Sequence, residues 1–229
     1  MDVSSGVLKN FRGDETDATI YFTFFIACTM AGCTYHSEAL TVKAPASEVR
    51  IDRQVGEPVS VFIDPEIEFL SSDAAENSYA CSAHSFPVTI GPAIKSSIVN
   101  ILEEAFTDVQ IVESNQTSPR DGFYMSFRKD TFRPTIFFAA GFWQGTANAS
   151  SEIVLKVTTR YFDQIIFDEM TIADRGFSNG QHKGGCNVGA GALKDAGKES
   201  IKRLLENLVY KVINTVDFRY VMNTYNTVS

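Results

Sequence analysis

Apolar residues fall into two rhythms along this chain, one of period two and one of period three to four, and each change of rhythm marks an element. Val59-Ser-Val-Phe-Ile-Asp64 is β-branched and aromatic and lies between Pro58 and Pro65, which predicts a strand. Ser71 to Ser82 is polar and reads as a loop. Ile94, Ile98, Ile101, Leu102, Ala105 and Phe106 then recur at helical spacing behind Gly91-Pro92, with the proline suited to a first turn. Val109-Gln-Ile-Val112 follows as a strand after a turn at Thr107-Asp108.

The middle of the chain returns to the shorter period. Gly122 to Phe127 alternates, Thr135 to Trp143 is almost wholly apolar, Glu152 to Tyr161 alternates again, and residues 164 to 173 predict a fourth strand. Turn-rich intervals at Arg128 to Pro134, Gly145 to Ser151 and Phe162-Asp-Gln separate them, the spacing of an antiparallel meander. A second long helix carries Leu193, Ala196, Ile201, Leu204, Leu205, Leu208, Val212 and Ile213 on one stripe. The expected class is therefore α+β. It comprises a mostly antiparallel sheet of about five or six strands with two main helices, about 92–106 and 190–215, packed on one face. The tail from Asp217 to Ser229 mixes Phe218, Tyr220 and Met222 with asparagine and threonine and fits either a last strand or a docking segment.

One apolar run stands outside this layout. From Ala18 to Gly32 there are fifteen uncharged residues, short of the roughly 20 that span a bilayer but suited to the apolar region of a secretory signal. Met30-Ala31-Gly32-Cys33 resembles a bacterial lipobox, in which an apolar and two small residues precede the cysteine. The resemblance implies that Cys33 is the lipidated first residue of the mature protein. With Thr34 rather than Asp after it, similarity to enteric sorting implies the periplasmic face of the outer membrane. The leader departs from the pattern, because Lys9 and Arg12 are outnumbered by Asp2, Asp14, Glu15 and Asp17. The alternative is a cytoplasmic protein in which this run is a buried element. On the lipoprotein reading, residues 1–32 are signal peptide. Residues 33–56, polar and broken by Pro45, are a tether with a short strand near Val49, and 57–229 form a single periplasmic α+β domain.

Charge narrows the partners. The chain has 20 basic and 28 acidic residues; without the leader's two basic and four acidic ones, 18 stand against 24, a net −6. That balance argues against nucleic acid, which needs a clustered basic surface, and leaves membrane attachment to the lipid anchor at Cys33.

Gly176 to Gly191 is glycine-rich and opens into the second helix, which invites a phosphate-loop reading. The literal patterns fail. Gly191 precedes Gly197-Lys198 by one residue too many, Glu199 replaces the hydroxyl, and the third glycine of a dinucleotide motif is Lys194. A mobile loop, or close backbone packing, is the expectation.

Cys28 lies in the leader and Cys33 at the anchor, so Cys81 and Cys186 remain. In an oxidising compartment they are candidates for a disulfide. The competing reading pairs Cys81 with His84 and His182 with Cys186 as the four ligands of a closed zinc site; otherwise no cofactor is expected. A cysteine nucleophile with a histidine base is weaker, since no protease-like pattern surrounds either thiol. Gly-x-Ser-x-Gly and His-Glu-x-x-His are absent, and the carboxylates at 163–169 and Glu103-Glu104 read as solvated faces. Asn115-Gln-Thr and Asn148-Ala-Ser fit the glycosylation sequon.

The layout is similar to that of small Gram-negative periplasmic lipoproteins that assist envelope assembly. The expected role is a non-enzymatic binding or scaffold module whose partners are other envelope proteins. A carrier holding a small apolar ligand between the aromatic strands and the helices is the first alternative. An enzyme with an unrecognised site is the second.

Overall fold

The computed structural model describes residues 35–36, 40–45, 49–52, 54–76, 81, 84–114, 122–139, 145–162, 164–182, 186 and 188–215. The chain divides into two compact units, Met1–Tyr35 and His36–Ser229, and the second holds the elements that follow. The apolar run 19–33, Cys28, the lipobox, the sequon at 115–117, Trp143, Asp163 and the tail 217–229 lie outside the described residues.

The fold is α+β, with two mixed sheets. In chain order the elements are β1 (Leu40–Thr41), β2 (Val55–Ile63), α1 (Pro65–Glu68), β3 (Ser71–Asp73), β4 (Ala75–Glu76), β5 (Pro87–Thr89), α2 (Gly91–Ala105), β6 (Phe106–Val112), β7 (Phe123–Ala139), β8 (Gly145–Tyr161), β9 (Gln164–His182) and α3 (Val188–Leu208). The large sheet runs β9-β8-β7-β2-β6, with β4 beside the second half of β7. β7, β8 and β9 form the expected antiparallel meander, while β2 pairs in parallel with both β6 and β7. A small sheet, β1-β5-β3, completes the unit.

Alternation on β8 sets the layers. Ala147, Ala149, Ile153, Leu155, Val157 and Tyr161 are buried, and the intervening Glu152, Lys156, Thr158 and Arg160 are half-buried. The buried face lies under α2 and α3. Ile98 from α2, Leu204, Leu205 and Leu208 from α3, and Phe127, Leu155, Val157 and Ile172 from the sheet surround a cavity of about 10 Å³.

Several boundaries differ from the sequence expectation. The turn expected at Arg128 to Pro134 is strand, because β7 runs unbroken through it. The reason is a bulge. Leu155 pairs with Lys129 and Val154 with Thr131, leaving Asp130 as the extra residue, so the buried set changes from Phe123, Met125 and Phe127 to Phe132, Ile136 and Phe138. Gly145 to Ser151 is likewise strand, and β9 continues past 173 to His182. Ser71–Asp73 and Ala75–Glu76 are strands within the expected loop at 71–82. The described part of the expected tether also belongs to the folded unit. Leu40 and Val42 are buried in the core, β1 pairs with β5, and the Val42 amide donates to the Thr89 carbonyl at 3.0 Å. Polar neighbours hid these two apolar positions. After Leu208 the second helix widens into a π-turn at Val209–Ile213, whose Val209, Val212 and Ile213 remain buried.

Candidate functional site

Cys81 and Cys186 form a disulfide, their Cα atoms 5.9 Å apart across 105 residues of chain. Each half is fixed by short local hydrogen bonds. The His84 amide donates to the Cys81 carbonyl at 2.8 Å, and the Gly189 amide donates to the Cys186 carbonyl at 3.1 Å as α3 begins. Cys81 is buried, and Cys186 is partly buried against the core. Nearby, the His84 ring stacks on Phe86 at 6.1 Å, and Phe86 packs on Phe138 of β7 at 5.9 Å. The bridge thus ties the segment leading to α2 to the start of α3.

The zinc alternative fails on sulfur chemistry: bonded to each other, Cys81 and Cys186 offer no thiolates to a metal. The same bond withdraws both as nucleophiles. His182 ends β9 opposite Gly145, and its side chain is outside the described set. Among the described residues no group of three or more His, Cys, Asp and Glu is placed to hold a metal. Cys33 lies outside the described residues.

The glycine-rich segment is not a loop throughout. Gly176 to His182 is the end of β9, and Val188 to Gly191 is the first turn of α3. Gly176 and Gly189 serve close packing. A Cβ on Gly176 would collide with the Ala196 carbonyl and the Ser200 amide of α3, and one on Gly189 would lie 2.6 Å from the Phe138 ring. Beside this contact the Ser200 hydroxyl donates to the Gly197 carbonyl at 2.8 Å and lies 3.2 Å from the Ser151 hydroxyl, in hydrogen-bond contact. Further along, Asn207 donates to Asp174 at 2.7 Å, while Arg203 bonds Glu199 at 2.7 Å and lies 3.9 Å from Asp174. The Glu199 hydrogen bond and the neighbouring carboxylates hold Arg203 more firmly protonated than an ordinary arginine.

On the opposite face of the sheet the register assembles charges that sequence reasoning did not bring together. Arg128 of β7 pairs directly with Lys156 of β8, and Tyr124 with Arg160. The Glu169 carboxylate sits 3.8 Å from the Arg128 guanidinium and 3.7 Å from the Lys156 amine. Glu169 adopts φ +48°, at the irregular β8–β9 pairing. Burial raises the Tyr124 phenol above its ordinary pKa, and the positive charges of Arg160 and Arg128 partly oppose that rise. The alternation of these residues was visible in sequence; their adjacency depends on the bulge-corrected register.

No protein-family model matches the chain, and no curated protein matches it. Among solved structures, the chain is similar to protein XCC0632 of the DUF330 family from Xanthomonas campestris at 10% identity and TM-score 0.38, covering 85% of this chain and 99% of that one. It is similar to a neuraminyllactose-binding hemagglutinin homologue from Helicobacter pylori at 8% identity and TM-score 0.43, covering 83% and 100%. It is also similar to a minor lipoprotein from Acinetobacter baumannii at 7% identity and TM-score 0.26, covering 73% and 96%.

Proposed function

We propose that this chain is an exported bacterial envelope lipoprotein, anchored through Cys33 at the periplasmic face of the outer membrane. Its folded part acts as a binding or scaffold module for other envelope proteins. The Cys81–Cys186 disulfide carries the reading, because such bonds persist in oxidising compartments and are rare in the bacterial cytosol. The lipobox-like Met30-Ala31-Gly32-Cys33 supports it from the sequence. Among the described residues no helix is long and apolar enough to cross a membrane, so an acyl anchor is the attachment this reading needs.

A scaffold is favoured over a carrier of an apolar ligand by how the aromatic strands are used. Phe123 and Phe127 are buried in the core, and the cavity beside Phe127 among the described residues, at about 10 Å³, has room for about one water molecule. The test is expression in a Gram-negative host with labelled fatty acid. The wild type should take up label and fractionate with the outer membrane, and Cys33→Ser should abolish both. An unprocessed chain with a free Cys33 thiol would overturn the assignment. Partners recovered by crosslinking in membranes would support the scaffold role; a stoichiometric lipid in native mass spectra would favour the carrier.

A further inference from the structure

We propose that the polar face of the large sheet carries an anion site in which Arg128 and Lys156 grip a phosphate group, with Arg160 as a flanking cation. Like charges directly opposite each other on neighbouring strands repel, and an acidic chain of net charge −8 has no need to place them so. Among the described residues the carboxylate paired with both, Glu169, does not use up their donors. Glu169 stands 3.8 and 3.7 Å away, close enough to offset charge but beyond good hydrogen-bond length. Arg128, Lys156 and Glu169 side chains are 46%, 39% and 52% exposed, so a ligand can reach them.

Two neighbouring observations point the same way. Arg160 lies four residues from Lys156 along β8, about 13 Å of backbone, within the combined span of two long side chains. Among the described residues its Nε is a buried donor with no hydrogen-bond partner. Arg160 stands directly opposite Tyr124 of β7, four residues along that strand from Arg128. A contrast on the same face shows what ordinary pairing looks like: Glu152 accepts a 2.9 Å hydrogen bond from Arg175 across the adjoining strands. Arg128 supplies a planar fork and Lys156 a compact ammonium, a pairing suited to two oxygens of one phosphate. The group could be inorganic phosphate or the phosphodiester of a lipid headgroup, which present the same oxygens.

The test titrates the full chain with inorganic phosphate by calorimetry at ionic strength fixed with chloride. Arg128→Gln and Lys156→Gln should each weaken binding about tenfold or more, the loss of a charged hydrogen bond. Glu169→Gln should strengthen it several-fold. None of the three side chains belongs to the buried core, and an unchanged melting temperature without phosphate confirms folding. A parallel flotation assay compares phosphatidylglycerol with phosphatidylcholine vesicles. Retention by the former, lost in Arg128→Gln, assigns a lipid headgroup, whereas binding of free phosphate without retention assigns a soluble ligand. Equal affinities in the wild type and all three variants, or displacement by equimolar chloride, would overturn the site.

Discussion

Gly176 of β9 lies directly beneath Ala196 and Ser200 of α3, with no room for a methyl group between strand and helix. The helix carries much of the core, including Leu193, Ile201, Leu204 and Leu205, so displacing it unseats all of them. Gly176→Ala should therefore destabilise the fold by about 3 kcal/mol, the upper end of overpacking costs. Gly191, in the same glycine-rich stretch, has nothing within 4 Å of its would-be Cβ, and Gly191→Ala should stabilise by about 0.5 kcal/mol through reduced backbone entropy. Chemical denaturation of both variants checks this. Equal effects would mean that the glycines serve the loop rather than the packing.

That pair of glycines also marks where the sequence stops being legible. Ile153, Leu155 and Val157 announce a one-sided strand because the alternation of β8 is never broken. Arg128-Lys129-Asp130 reads as a turn because the bulge at Asp130 reverses the alternation of β7 in mid-strand. Gly176 and Gly180 read as loop because helix α3 occupies the space where side chains would signal a strand. The two helices and the α+β class follow from periodicity. Counting cysteines nominates Cys81 and Cys186, but choosing disulfide over zinc requires the sulfurs' positions. The Arg128–Lys156 pairing, 28 residues apart, exists only through register.

The disulfide closes a loop of over one hundred residues, so its loss frees the unfolded chain more than the folded one. On the chain-entropy estimate, reduction or the Cys81→Ser/Cys186→Ser variant should cost about 4–5 kcal/mol. Guanidinium unfolding with and without dithiothreitol measures it. Coincident midpoints would show that the bridge contributes nothing to stability.

Leu40 and Val42 test where the folded unit begins. Val42 packs on α3 so closely that a Cβ on Gly197 would come within 2.8 Å of it. Leu40→Ala should cost about 2–3 kcal/mol, as for other buried leucines. The Val42 amide, bonded to Thr89, should be protected from hydrogen exchange. Wild-type stability for Leu40→Ala together with fast exchange at Val42 would restore residues 40–45 to a tether.

Tyr124 predicts an alkaline limit. Burial raises its pKa in the folded state despite Arg160 and Arg128, so the folded chain holds the phenolic proton at a pH where the unfolded chain, near 10, has begun to release it. Folding then binds a proton, and stability declines as pH climbs from about 10 toward the folded-state value; below that window the contribution is fully present. Denaturation midpoints measured between about pH 8 and pH 11 should fall at the upper end, and Tyr124→Phe should flatten part of the fall whatever its effect at neutral pH. A variant that kept the full alkaline slope would place the responsible group elsewhere. Removing Arg160 tests the opposing influence: Arg160→Gln should raise the Tyr124 pKa further and widen the window over which stability is lost, read from the phenolate absorbance near 295 nm.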